Sequence, residues 1–126
     1  MNIFVICSVR HASEKDRLLL EYYVNDLELQ GNKVHLPHRD TNQQASGIEI
    51  CLQNRKAIKK ADEVHVFYSS KSEGTLFDLG VAFAMNKTIH VAKNIKYGSG
   101  KSFPRMIDEW EQRTMLYDLE KEELEQ

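Results

Sequence analysis

Apolar and polar positions along the chain alternate between two periods, one typical of buried strands and one typical of amphipathic helices. Short apolar runs predict four strands, at residues 3–7, 33–36, 63–68 and 88–91. Apolar residues three or four positions apart predict a helix after each strand, at residues 14–30, 47–61, 75–85 and 103–124. Strand and helix therefore alternate four times, which predicts a parallel sheet with right-handed crossovers.

This order predicts an α/β fold in which a parallel sheet of four to five strands lies between helices on both faces. The chain has 126 residues, of which 41% are hydrophobic, enough to bury a proper core in one domain. We find no internal repeat, linker or second domain, so we expect a single domain over residues 1–126.

Composition narrows the classes of partner. The formal net charge is −2, which does not favour a nucleic-acid polymer or an anionic membrane surface. The apolar run at residues 3–7 is too short to span a bilayer and lacks the basic start of a signal peptide. Cys7 and Cys51 lie in apolar segments, as buried free thiols do in a reducing compartment. We expect a cytoplasmic protein with no membrane or nucleic-acid partner.

Chemically versatile residues cluster after the strands, whereas ordinary turn residues such as Gly31 precede them. Ligands of open parallel sheets bind beyond the carboxyl ends of the strands, so the pattern predicts a ligand site at that edge. The candidate ligand-binding residues are Ser8, Arg10 and His11 after the first strand, His38, Arg39 and Asp40 after the second, and Ser72, Gly74 and Thr75 after the third.

The loop after the third strand suits a phosphate or a sugar hydroxyl. Gly74 permits close backbone approach, and the next helix presents unpaired amides and its positive dipole end to the site. Ser72 and Thr75 add hydroxyl groups to the same loop. The alternative is an ordinary strand-to-helix turn in which Thr75 caps the helix.

Asp78 is the candidate catalytic carboxylate. It is the single ionisable residue in the otherwise apolar segment 75–85, beside the glycine loop. A carboxylate partly removed from water in such a place is a candidate nucleophile or base. Thr75 and Asp78 also fit the spacing of a capping box, in which the carboxylate would only hold a backbone amide.

Arg10 and Asn54 each allow two interpretations. Arg10 offers a charged, planar fork that suits phosphate or carboxylate, and the alternative is a solvated surface arginine. Asn54 falls at the centre of the apolar stripe of the second predicted helix. If buried it needs a partner, which would be either the core or a ligand.

The polar connection at residues 38–46 is longer than most and is predicted to be irregular. His38, Arg39 and Asp40 suit either a lid that recognises a base or a solvated turn. Residues 98–102 end like a P-loop, but the first glycine of that motif is missing. His35 and His38 lack a third ligand, so we expect no metal site and no cofactor.

Three segments resemble the nucleoside 2-deoxyribosyltransferases and the related deoxynucleoside-monophosphate N-glycosidases, namely 7–10, 54–62 and 74–84. The resemblance implies a flavodoxin-like fold, assembly as a homodimer or larger homo-oligomer, and no metal. It also implies cleavage of the N-glycosidic bond between deoxyribose and base. A carboxylate attacks C1′ in that family, and the sugar then passes to another base or to water.

The resemblance places Asp78 where the family has a nucleophilic Glu, and Ser8, Arg10 and Ser72 where its monophosphate-specific members bind phosphate. Asn54 stands where those members have an Asp that supports the sugar or the leaving group. Asp is one methylene shorter than Glu, and Asn lacks the charge and the proton of an acid.

Three functions follow from these residues. The first is an N-glycosidase or deoxyribosyltransferase for a nucleoside or nucleotide, with Asp78 and Asn54 as catalytic residues. The second is a non-catalytic module that binds a nucleotide or an ADP-ribose-type ligand, motivated by the two departures from the family pattern. The third is an interaction domain without a ligand. An exposed Trp110 with Phe103 and Met106 would provide a surface for self-association.

Overall fold

The computed structural model describes residues 1–9 and 12–125, so the predicted binding residues Arg10 and His11 lie outside its described part. Strands and helices alternate, with one additional short helix. The elements are β1 Asn2–Ile6, α1 Glu14–Leu29, β2 Lys33–His35, α2 Pro37–Asp40, α3 Gly47–Lys60, β3 Glu63–Val66, α4 Glu73–Ala84, β4 Ile89–Val91 and α5 Phe103–Glu125.

The four strands form one parallel sheet in the order β2-β1-β3-β4. Ile3 of β1 lies between Val34 of β2 and Glu63 of β3 in the register. The chain moves from β1 outward to β2 and then crosses to β3 on the other side of β1. The predicted parallel α/β fold is therefore confirmed. Its topological switch point lies between β1 and β3, where the connections leave in opposite directions along the sheet.

Alternation along the strands divides the core into two layers. Phe4 and Ile6 of β1 face α3, α4 and α5, where they pack in a cluster with Ile58 and Ile107. Ile3 and Val5 face the opposite side and pack in a second cluster that α1 covers with Leu20 and Val24. Because β1 is buried on both faces, its sequence is a continuous apolar run.

Local capping explains where α1 begins and where the turn after it forms. Ser13 Oγ accepts a hydrogen bond from the Asp16 amide at 3.1 Å, which satisfies one of the free amides of the first turn. Gly31 follows α1 with a φ of +95°, a left-handed conformation that glycine adopts without steric penalty. Both features agree with the predicted start and stop of this helix.

The connection after β2 is not wholly irregular, because it contains α2. Pro37 stands at the first helical position, where its fixed φ favours the helix and its missing amide proton is not needed. Asp40 Oδ2 accepts a hydrogen bond from the Leu36 amide at 2.8 Å and closes this single turn. The prediction of a loop was wrong here because a proline-initiated turn is too short to show helical periodicity.

The prediction that Trp110 is exposed was also wrong. Only 9% of its surface is accessible, and its ring packs edge-to-face on Phe83 with 5.3 Å between centroids.

Glu111 accepts a hydrogen bond from the amide of Val91, so α5 covers the open edge of β4. Although α5 has 23 residues, no helix in the described part of the chain is long and apolar enough to cross a membrane.

Replacing Trp110 with Ala should destabilise the protein by about 3–5 kcal/mol, because removal of a large buried ring leaves a cavity between α4 and α5. Phe103 is 60% exposed on the same helix, so Phe103→Ala should change the free energy of unfolding by less than about 0.5 kcal/mol. Urea unfolding of the two variants measures both values. Equal losses would contradict the packing described here.

Candidate functional site

A cavity of about 550 Å³ opens at the carboxyl edge of the sheet. Cys7 and Val9 after β1, Asn54 of α3 and Asp78 of α4 line it, together with the segment that leads into α4. Its volume falls in the range of small-molecule sites. It lies where the strand order changes direction between β1 and β3, which is where ligands bind in open α/β sheets.

Asp78 lies one turn inside α4, and its side chain lines the cavity while only 9% of its surface is accessible. The capping-box interpretation of this residue is wrong. Ser72, rather than Thr75, is the N-cap of α4, and its Oγ accepts a hydrogen bond from the Thr75 amide at 3.1 Å. The carboxylate of Asp78 is therefore available to the cavity.

Burial raises the pKa of Asp78 to about 6, because a charged carboxylate loses hydration there. Cys7 is close enough to feel this charge. Burial and the Asp78 carboxylate together raise the pKa of the Cys7 thiol to about 12. Cys7 therefore stays a neutral thiol at physiological pH, so it lacks the thiolate that a cysteine needs to act as a nucleophile.

Asn54 contacts the Asp78 carboxylate and the core at once. Its Nδ2 lies 3.5 Å from Asp78 Oδ2, a long contact, and its Oδ1 accepts a hydrogen bond of 2.6 Å from Thr41 Oγ1. Thr41 Oγ1 lies in turn 2.8 Å from His35 Nε2. Asn54 is 7% exposed and also lines the cavity. The predicted core hydrogen bond is therefore present, and the position of Asn54 in the cavity lining leaves contact with a ligand as a prediction.

The start of α4 supplies polar groups to the same cavity. Ser72 and Gly74 line it, and so do the neighbouring charged residues Lys71 and Glu73. Amides in the first turn of a helix have no intrahelical acceptor, so those of Glu73 and Gly74 are suited to an anion or a hydroxyl. Thr75 is fully buried and outside the cavity lining, and its Oγ1 has no hydrogen-bond partner among the described residues.

Four other predicted residues lie away from this cavity. Ser8 lines a separate pocket of about 140 Å³ beside α1. His38 and Arg39 line a groove between α1 and α2. Arg39 donates hydrogen bonds to Glu28 at 2.8 Å and to Asp40 at 2.9 Å. Arg39 and Asp40 therefore hold α2 against α1, and the lid interpretation gains no support from their contacts.

Neither the P-loop-like segment 98–102 nor the pair His35 and His38 lines this cavity. Within residues 98–102, Ser102 accepts a hydrogen bond from the Arg105 amide at 3.2 Å, at the start of α5. Among the residues that the structure describes, no group of three or more His, Cys, Asp or Glu side chains could hold a metal ion.

Sequence reasoning missed Lys71, Glu73 and Gln43 in the cavity, and it missed the partner of Asn54, Thr41. Lys71 and Glu73 flank Ser72 in a run of polar residues that already suggested a site. Gln43 and Thr41 belong to the long polar connection after β2. No pattern in that connection indicates which polar side chains turn inward, because its backbone has no regular period.

Comparison with known proteins identifies a structural neighbour. The chain is similar to a solved CMP N-glycosidase from Clostridium botulinum, BcmB, with a TM-score of 0.55 and 26% sequence identity. The match covers 69% of this chain and 66% of the neighbour. No family model and no curated protein matches the chain. The similarity supports, at the level of the fold, an N-glycosidase-like α/β architecture.

Asp78→Asn should stabilise the folded protein at neutral pH. The folded-state pKa of about 6 lies above the reference value of 3.8, so the ionised group destabilises the fold above pH 6. We expect Asp78→Asn to gain about 1–3 kcal/mol over wild type at pH 7.5. That difference should shrink as the pH falls from 6 towards 4, because wild type takes up its proton there.

Urea unfolding of both proteins at pH 7.5 and at pH 4.5 measures this difference. The comparison cancels the other titrating groups, which the two proteins share. A variant less stable than wild type at pH 7.5 would contradict the burial of the Asp78 charge.

Proposed function

We propose that this protein cleaves the N-glycosidic bond of a nucleoside or nucleotide, with Asp78 as the nucleophile. The observation that carries the proposal is a buried carboxylate with a raised pKa that lines a cavity at the carboxyl edge of the sheet. The fold-level similarity to a CMP N-glycosidase supports the choice of reaction.

The reaction follows the double displacement of retaining glycosidases. The Asp78 carboxylate attacks C1′ of the sugar, and the base leaves with the electron pair of the C1′–N bond and takes a proton from water. The glycosyl ester on Asp78 is then hydrolysed by a second water, which frees the sugar and regenerates the carboxylate. A free base in place of that water would give transfer of the sugar.

The environment of Asp78 suits the first of these steps. Burial makes the carboxylate a stronger base than an exposed Asp, and it withholds solvation that attack would otherwise have to remove. The carboxylate must be ionised to attack, so activity should rise with pH through about 6. Cys7 remains a thiol beside it and does not compete.

Asn54 orients the carboxylate. Its amide group faces Asp78 Oδ2 at 3.5 Å, and contacts of this length in an unliganded enzyme often tighten when substrate binds. An amide cannot transfer a proton to the leaving base. Asn54 therefore positions the carboxylate and does not protonate the base. The shorter reach of Asp78 relative to Glu requires the sugar to approach α4 closely.

The start of α4 would hold the polar part of the substrate. The free amides of the first turn and the side chains of Lys71 and Ser72 suit phosphate oxygens or sugar hydroxyls. The resemblance assigns phosphate binding to Ser8 and Arg10 as well. Ser8 lies in the adjoining pocket, where Cys7 lines both cavities, and Arg10 lies outside the described residues.

Incubation with a panel of nucleosides and their 5′-monophosphates, with release of free base as the readout, tests the proposal. Asp78→Asn should lose at least about 10³-fold in kcat, because no covalent ester forms. Asp26→Asn, which removes an exposed carboxylate of α1, should cleave as wild type does. Equal rates for Asp78→Asn and wild type would overturn the assignment. A second free base in the mixture distinguishes transfer from hydrolysis.

Gly74→Ala tests whether the start of α4 binds substrate. A Cβ at this position would meet only Ser72 Oγ, at 3.8 Å, so the fold should tolerate it and gain up to about 1 kcal/mol of helix propensity. The added methyl group would hinder close approach to the amides, so KM should rise about 10-fold. Thermal unfolding and steady-state kinetics measure the two effects. An unchanged KM would place substrate elsewhere.

A second candidate function is a module that binds a nucleotide or an ADP-ribose-type ligand without cleaving it. The observation that favours it is Asn54, an amide where an acid would assist the leaving base. Such a module would show ligand-dependent thermal stabilisation and would return the ligand intact. Recovery of free base and sugar excludes it.

A further inference from the structure

We propose that Thr41 and His35 are positioning residues for the reaction, because they keep the amide NH₂ of Asn54 turned towards Asp78. The proposal rests on the proposed function, since it concerns the same carboxylate. The observation behind it is a chain of side-chain contacts from His35 through Thr41 and Asn54 to Asp78, of 2.8, 2.6 and 3.5 Å.

The direction of each hydrogen bond in this chain follows from the last member. An ionised carboxylate only accepts, so the NH₂ group of Asn54 must face Asp78 and its Oδ1 must face Thr41. Thr41 then donates its single hydroxyl proton to Asn54 Oδ1 and keeps a lone pair for His35. His35 must therefore carry its proton on Nε2 and donate it to Thr41 Oγ1.

If all hydrogen bonds among these four side chains were reversed, they could be satisfied only with a protonated Asp78. If His35 carried its proton on Nδ1, Thr41 would donate to Nε2, and Asn54 would turn its NH₂ towards Thr41. The Oδ1 of Asn54 would then face Asp78, where it repels a carboxylate but accepts from a carboxylic acid. The tautomer of His35 thus selects the amide orientation that an ionised nucleophile needs.

The surroundings of His35 favour a neutral ring in a fixed place. Its ring stacks on Phe4 with 5.3 Å between centroids and 13° between planes. Burial lowers the pKa of His35, the charge of Asp40 opposes that shift, and the charge of Arg39 adds to it. At neutral pH the ring therefore carries one N–H, and its position on Nδ1 or Nε2 can be determined by NMR.

The polar cluster of α2 holds Thr41 in place. Thr41 is the C-cap residue of α2, and its amide donates to the carbonyl of Pro37 at 3.0 Å. Arg39 bonds to Glu28 of α1 and to the carbonyl of Val34 in β2, and Asp40 accepts from the Leu36 amide, so this short helix is closed on itself and anchored to two neighbouring elements. Residues that lie outside the cavity thereby support its chemistry.

NMR tests the hydrogen bonds from His35 to Asp78 independently of cleavage. In wild type at pH 8, side-chain ¹⁵N shifts should show His35 protonated on Nε2. Side-chain ¹³C shifts give the titration midpoint of Asp78. The charged and titratable groups near these four residues are Cys7 after β1, Lys71 and Glu73 around the cavity, and Asp40 and Arg39 of α2. All of these remain in the variants.

Thr41→Val keeps the shape of the side chain but removes its hydroxyl, so the Asn54 amide loses its fixed orientation. We expect the midpoint of Asp78 to rise by about 0.5–1 pH unit and kcat to fall about 3–10-fold with a smaller change in KM. Thr41→Ser keeps the hydroxyl and should restore both values. Thr75→Val is the matched control, because it removes from α4 itself a buried hydroxyl that bonds to none of the described residues.

Three results would overturn the proposal: an Nδ1-protonated His35 in wild type at pH 8, an unchanged Asp78 midpoint in Thr41→Val, or an equal shift in Thr75→Val. The wild-type spectrum is decisive even if Thr41→Val does not fold. If the NMR results are as expected and wild type cleaves no nucleotide, the positioning chain stands and the proposed reaction fails.

Discussion

The candidate site depends on a carboxylate that is held away from water. Water would solvate the Asp78 charge, and among the described residues the Asn54 amide offers it a long contact in place of that water. The replacement is incomplete, so the group binds its proton more tightly than a free Asp does. The same incomplete solvation suits the carboxylate to the proposed reaction and makes the folded state less stable at neutral pH.

The sheet order decides where this carboxylate lies. Because β3 joins the sheet on the opposite side of β1 from β2, α3 and α4 pack next to each other and their facing residues Asn54 and Asp78 meet. The first turn of α4 lies beside them, and its residues Glu73 and Gly74, whose amides have no acceptor within the helix, line the same cavity. The Asp78 carboxylate and the first turn of α4 are thereby placed together on one helix that lines the cavity.

The short helix α2 links the packing of the fold to the chemistry of the site. Its charged residues Arg39 and Asp40 bond to α1 and to the backbone beside β2, and they do not line the cavity. They nevertheless anchor the short helix that ends at Thr41, whose hydroxyl contacts Asn54. Residues that hold the packing and residues of the candidate site therefore meet in this one connection.

Local patterns were sufficient for most of the fold. Continuous apolar strands, spaced apolar helix positions, Ser13 and Gly31 each act over a few residues, so they specify the parallel α/β architecture without reference to distant contacts. They were insufficient for Trp110, because nothing local distinguishes an exposed helix face from one that packs on Phe83 of another helix.

The sequence by itself determined that a glycine loop, with a carboxylate in the helix that begins there, would lie at the carboxyl edge of a sheet, because that loop directly follows a strand in a parallel order. Only the tertiary structure decided that Ser72 caps α4 and leaves Asp78 to the cavity, and that Thr41 is the partner of Asn54. Hydrogen bonds between side chains far apart in sequence depend on which helix faces meet, and the apolar period along the chain marks a buried face without naming its partner.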